Sequence, residues 1–235
     1  LKYNLKTLKL VFKISFISKF KKRRFYKKLI NKNDICFDIG ANIGSKSKLF
    51  LSIGAKVIAF EPQSSCLNEL SKIKNRTFNF YPFAVGAKNE EKELHLSNIS
   101  EVATLSNEFI DYFCCDTVFW DKKEIVTVKS LDYLIEKYGL PKYCKIDVEG
   151  YELEILSSLT YEIPIIEFEF TGGFVEDTIK IIQKLSKTST HFNYVLNENL
   201  KFKLKNWVSA DEMITIIKSF SRDRLHGNIF VKNLI

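Results

Sequence analysis

From residue 35 onward, short apolar runs alternate with stretches of helical period. ICFDI at 35–39 and KVIAF at 56–60 are continuous apolar runs, the pattern of strands covered on both faces. Further strands are expected at 77–85, 92–96, 125–128, 143–148, 163–170, 192–196, 200–205 and 228–232. Helices are expected at 45–53 (stopped by Gly54), 62–73, 130–138, 151–159, 175–185 and 211–220. Residues 98–124, including DYFCCDTVFW, carry no dependable period. Strands that alternate with helices predict an α/β fold: a doubly wound, mostly parallel sheet with helices on both faces.

Charge divides the chain unevenly. The 235 residues carry a formal net charge of +8, yet 12 of the 36 Lys and Arg and none of the 28 acids precede residue 34. The remainder is therefore at −4. Leu5, Leu8, Phe12, Phe16 and Phe20 recur at steps of three and four, with Lys2, Lys6, Lys9 and Lys13 filling the other side. Residues 1–33 thus read as a basic amphipathic helical arm, and residues 34–235 as one folded domain. Such an arm either packs on the domain or makes peripheral contact with an anionic membrane through residues 1–30. The mildly acidic body lacks the basic face of a nucleic-acid platform, so no nucleic-acid partner is expected. No apolar stretch reaches the ~20 residues of a membrane span, and no signal peptide is evident. Five cysteines without zinc spacing read as reduced thiols, which predicts a cytoplasmic protein.

The strongest chemical signal is FDIGANIG, Phe37 to Gly44, between an expected strand and an expected helix. Ligands of open α/β sheets bind at the carboxyl ends of strands. Gly40 and Gly44 permit a tight turn that a ligand approaches closely, and Asp38 is placed to fix that loop or meet a cationic amino group. Seventeen residues after Gly44, Glu61 ends the next strand, where a carboxylate accepts hydrogen bonds from two ribose hydroxyls. A dinucleotide site would need G-x-G-x-x-G. Asn42 replaces its middle glycine and Ser45 its last, crowding a pyrophosphate. S-adenosyl-L-methionine has no phosphate to accommodate and is the expected cofactor.

KIDVEGYE, Lys145 to Glu152, ends another central strand. Asp147 is then placed beside the Gly40 loop and Glu149 at the following turn, although either acid also suits the cap of the next helix. Glu152, in that helix's first turn, reads as structural. IIEFEF places Glu167 and Glu169 in an apolar strand, where a buried charge costs several kcal/mol unless paired. Glu169, nearer the strand's end, is the candidate for an acceptor pocket, with a salt bridge or a solvated strand end as the other reading.

FDIGANIGSKSKLFLSIGAKVIAFEPQ, VTVKSLDYLIEKYGLPKYCKIDVEGYELEIL and IPIIEFEF together resemble the FkbM family of methyltransferases over about residues 35–170. The resemblance implies a class I methyltransferase (Rossmann-like) fold and methyl transfer to a hydroxyl of a sugar, glycan or natural-product alcohol. It matches Asp38, Gly40, Asn42 and Gly44 to the cofactor loop, Glu61 to the ribose acid, and Phe83 and Ala84 to the segment beside the adenine. Phe83 departs from the asparagine common there, and Ala87 from an acid. Methyl transfer requires the acceptor oxygen about 3 Å from the methyl and a group to take its proton. Asp147 is the leading catalytic candidate, supported by Glu149 and Glu169. A divalent metal held by these acids is an option without a dedicated ligand set. The competing functions are an RNA methyltransferase, using the arm against phosphate, and a non-catalytic binding module on the same scaffold.

Overall fold

The computed structural model describes residues 19–187, 189–197, 200–220 and 226–233. Its main sheet is built from β1 (Ile35–Ile39), β2 (Lys56–Phe60), β3 (Phe78–Tyr81), β7 (Tyr143–Ile146), β8 (Ile165–Thr171), β9 (Thr190–Leu196) and β10 (His226–Asn233). Their spatial order is β3-β2-β1-β7-β8-β10-β9. Every pairing is parallel except those of β10, which runs antiparallel between β8 and β9. A smaller sheet joins β4 (Ala84–Gly86), β6 (Trp120–Ser130) and β5 (Glu90–Ser97) in that order. This is the doubly wound, mostly parallel α/β architecture expected from the alternation.

One sheet face packs on helices α4 (Leu131–Tyr138), α5 (Glu152–Ser158), α6 (Val175–Leu185) and α7 (Ala210–Lys218). The opposite face packs on α1 (Ser45–Ile53), α2 (Ser64–Ser71) and the N-terminal segment. Local sequence explains several boundaries. The α7 start is a capping box in which Ser209 and Glu212 satisfy each other's backbone N–H. Ser106 caps the short helix α3 (Asn107–Phe113) by accepting from the Phe109 N–H at 3.1 Å.

The arm expected over 1–30 lies outside the described residues up to position 18. From there, residues 19–26 are helical, and Phe25, Tyr26, Leu29 and Ile30 are buried in the core beside Phe50, Tyr143 and Phe230. Lys19, Phe20, Lys21, Arg24, Lys27 and Lys28 remain exposed. Each fully buried apolar side chain stabilises such a docking by roughly 1.5–3 kcal/mol.

Three expectations change. The strand expected over 77–85 is two strands in two sheets, β3 and β4. Pro82 between them has no N–H to continue a ladder. The stretch 98–124 contains a 3-10 turn at Ser100–Val102, then α3, then the start of β6. The strand expected over 200–205 does not form. Instead, the Asn193 side chain takes the backbone of Leu204, donating to its carbonyl at 3.1 Å and accepting from its N–H at 3.3 Å. A side chain that satisfies both groups leaves no ladder for a strand.

Candidate active site

The carboxyl ends of β1, β2 and β7 open into a cleft of about 530 Å³. Its walls include Gly40, Asn42, Glu61, Phe83, Ala84, Asp147 and Glu149, which the sequence singled out, together with residues of the 100–105 loop. Asp38, Gly44 and Glu169 are not on that wall. Asp38 is buried and accepts the Ser47 hydroxyl at 2.6 Å, tying β1 to α1. Burial lifts its carboxyl above the ordinary range, while Lys145 and the Ser47 hydrogen bond pull it back. Gly44 opens α1 with φ 76°. Glu169 borders a second cavity of about 360 Å³ with Phe170, Phe174 and Asp177.

Gly40 explains how the two motifs meet. Its φ is 74°, and a Cβ there would lie 1.8 Å from the Asp147 carbonyl oxygen, so the Gly40 loop and the Asp147 turn are in backbone contact. The Gly40 N–H donates to the Phe60 carbonyl at 3.0 Å, and the Asp147 N–H to the Ile39 carbonyl at 3.1 Å. Three strand ends are thereby locked together by main chain.

Glu61 is 4% exposed and is held by backbone donors. Its two oxygens accept from the Asn42 N–H at 2.7 Å and the Gln63 N–H at 2.9 Å. Burial nonetheless pushes its carboxyl up to about 7. The side-chain amides of Asn42 and Gln63 both donate to the Ser100 carbonyl, at 3.2 and 3.0 Å, and draw the 100–105 wall over the cleft.

Asp147 is held differently. Its side chain is one-third exposed and forms an ion pair with Lys145, which is almost fully buried. Burial opposes the Asp147 charge, but Lys145 and a hydrogen bond from Glu169 bring the carboxyl below its ordinary range. Glu149 and Glu169 are raised well above theirs, first by burial and then by the Asp147 charge. Glu149 adopts φ 54°, a left-handed conformation costly for a residue of its size. That turn is clamped from two sides. Thr104 donates to the Glu149 carbonyl at 2.7 Å, and Glu152 accepts the N–H groups of Val148 and Gly150 at 3.0 and 3.1 Å. Glu152 is thus structural, as its place in the sequence suggested.

Asp147, Glu149 and Glu169 bring carboxylate oxygens within 4.8 Å of one another, the spacing one divalent ion needs. Glu167 lies apart, fully buried, and accepts from Tyr26 at 2.9 Å and from Tyr143. Sequence reasoning missed Lys145, Tyr143 and Tyr26. The signal was a matched alternation: Tyr143 and Lys145 stand in register with Ile165 and Glu167, and Asp147 and Glu169 each follow two residues further on.

The acids of the cleft wall are Glu61, Glu101, Asp147 and Glu149, with no Lys or Arg among the described residues that line it. Such a lining favours a cationic ligand and disfavours a pyrophosphate.

Residues 38–219 match the Methyltransferase FkbM domain. The chain is 26% identical over 172 residues to the hexuronic acid methyltransferase AglP of Haloferax volcanii, covering 68% of this chain and 67% of that protein. Among solved structures, the plantazolicin methyltransferase BpumL in complex with SAH aligns over 98% of this chain and 91% of its own, at TM-score 0.48 and 9% identity. SMU.1697c of Streptococcus mutans, a putative methyltransferase in complex with SAH, aligns over 91% and 96%, at TM-score 0.44 and 13% identity.

Proposed function

Because this chain belongs to the FkbM family and is a methyltransferase, we propose that it transfers a methyl group from S-adenosyl-L-methionine to a hydroxyl oxygen of a sugar, glycan or natural-product alcohol. The observation that carries the donor assignment is that the described residues lining the cleft include these acids and no Lys or Arg. The hexuronic acid methyltransferase relative supports a sugar acceptor.

In this reading Asp38 and Gly44 shape the donor loop, and Gly40 and Asn42 form its half-buried turn. Glu61 keeps lone pairs for the ribose hydroxyls, since each oxygen spends one on a backbone N–H. Phe83 and Ala84 supply the apolar wall beside the adenine. The bound donor supplies an electrophilic methyl group on a sulfonium. Asp147, the acid of the trio that stays ionised, orients the acceptor hydroxyl and receives its proton. Glu149 and Glu169, whose carboxyl groups burial and the Asp147 charge raise well above the ordinary range, support it by hydrogen bonding. A divalent ion would be held by the same three carboxyl groups.

Calorimetry with S-adenosyl-L-methionine, followed by transfer of labelled methyl groups to a panel of hydroxylated glycans and alcohols, tests the activity. Absence of donor binding overturns it.

The exposed basic residues from Lys19 to Lys28, with Phe20 58% exposed among them, support work at an anionic membrane on the cytoplasmic side. No helix among the described residues is long and apolar enough to cross a membrane. Vesicle flotation unchanged by K19Q/K21Q/R24Q/K27Q/K28Q would discard the membrane contact.

A further inference from the structure

We propose that Tyr26, on the N-terminal segment and outside the span matched by the family, is a positioning residue of the active site. By occupying Glu167, it leaves Lys145 to fix Asp147. The inference rests on the reading of Asp147 as the acid that meets the acceptor.

The geometry runs through four side chains on one face of the sheet. Lys145 on β7 stands in register beside Glu167 on β8, and Asp147 follows two residues on, just past the end of β7. A buried ammonium at that place has two carboxyl groups to choose between. It pairs with Asp147. Glu167 is already satisfied: the Tyr26 hydroxyl donates to one oxygen at 2.9 Å and the Tyr143 hydroxyl to the other. Lys46 from α1 stands 3.7 Å from the first oxygen and donates to the Tyr26 hydroxyl at 2.7 Å. Tyr26 is fully buried, with Phe50 and Tyr143 packed edge-on against its ring, so its hydroxyl has little freedom to turn elsewhere.

Removing that hydroxyl leaves one oxygen of a fully buried carboxyl group short of a donor, a loss that a neighbouring cation is drawn to repair. Lys46, 3.7 Å from that oxygen, is one-quarter exposed and keeps access to water, whereas Lys145, the cation in register with it, is almost fully buried and has no such access. As the ammonium turns toward Glu167, Asp147 loses the partner that orients it. The remaining charged groups around Asp147, namely Asp38 on β1, Lys46 on α1, and Glu149, Glu152 and Glu169, do not replace a direct ion pair. The N-terminal segment therefore reaches the acceptor side of the site without touching the donor cleft.

The test is nitrogen-15 NMR of the lysine ammonium groups in the full chain at one fixed pH, with the Lys145 signal assigned by its loss in Lys145→Arg. Asp147→Asn provides the reference shift for Lys145 deprived of its partner. Tyr26→Phe is expected to move the signal in the same direction, and to add nothing in a Glu167→Gln background, because the effect passes through Glu167. Should Tyr26→Phe fail to fold, Tyr143→Phe removes the other hydroxyl from the same carboxyl group and is expected to give the same shift. A Lys145 signal that stays in place in the folded variant, whatever happens to its melting temperature, overturns the proposal and leaves Tyr26 a packing residue. Donor calorimetry on the unmodified protein separates the two readings. Absent donor binding refutes the methyl-transfer role, while the Lys145 shift still reports on the network.

Discussion

Glu61 and Asp147 line the same cleft, yet the protein holds their carboxylates by different means. Glu61 is gripped by main chain, through the N–H groups of Asn42 and Gln63. Asp147 is gripped by a side chain, Lys145, whose own choice of partner depends on Glu167 and two tyrosines. An acid held by backbone keeps its place through most changes in nearby side chains. An acid held by a buried ion pair responds to substitutions two contacts away, because unpairing a buried charge is costly. Under the proposed roles, donor binding is thereby built to be robust, and acceptor chemistry to be sensitive.

The sharpest way to break this contrast is Asp147→Asn. It is expected to lower turnover by roughly 10²–10⁴-fold, the range for loss of a general base, with donor affinity nearly unchanged. Calorimetry beside a methyl-transfer assay reads both, and a collapse of donor affinity with normal turnover would move Asp147 to the donor's side. Next comes Gly40→Ala, which sets a methyl group into the Asp147 carbonyl and strains a left-handed turn. A cost on the order of 3 kcal/mol or more is expected, seen as a lower melting temperature together with weakened donor binding. Should the two motifs be less tightly joined than the contact implies, the variant will melt like the parent.

Glu61→Ala is expected to weaken donor binding about tenfold or more, corresponding to roughly 1.5–3 kcal/mol. Unchanged affinity in a folded variant removes Glu61 from the ribose role. A related effect is pH dependence. Burial raises the Glu61 carboxyl to about 7, so the folded state without donor holds a proton that the unfolded chain releases near its ordinary value. The resulting stability is fully present below that ordinary value and is lost as pH rises through about 7. Donor binding needs the ionised form, so it should tighten about tenfold between roughly pH 6 and 8 with release of a proton. Glu61→Gln should flatten that slope; an equal slope in the variant would assign it to Glu152, which burial also raises to about 7. The smallest effect belongs to removal of residues 1–18, for which donor affinity is expected to stay within about twofold, since the cofactor motifs lie beyond residue 34.

The backbone-held half of this site was legible in the sequence. FDIGANIG and the acid ending KVIAF depend on local rules, a glycine turn between strand and helix and a carboxylate at a strand end, and those rules travel with the residues that obey them. The side-chain-held half was not. Glu167 reads as a misplaced charge in an apolar strand, and Lys145 goes unremarked, until β7 and β8 are set side by side, and Tyr26 is 141 residues from the carboxyl group that it serves. The stretch 98–124 was opaque for another reason. Its helix is seven residues long, too short for a period to emerge, and only the Ser106 cap announces it. At 200–205 the alternation was real, but Asn193 consumed the hydrogen bonds that a strand would have used.

The wall over the donor cleft is fastened at Ser100 through its main-chain carbonyl, which both side-chain amides reach. Main chain is common to every residue, so the fastening does not depend on which amino acid occupies position 100. The side chains at 99 and 100 are therefore open to drift or to design, with Glu101 kept for the acidic wall: ligand shape can be retuned there while the same two amides keep the wall closed.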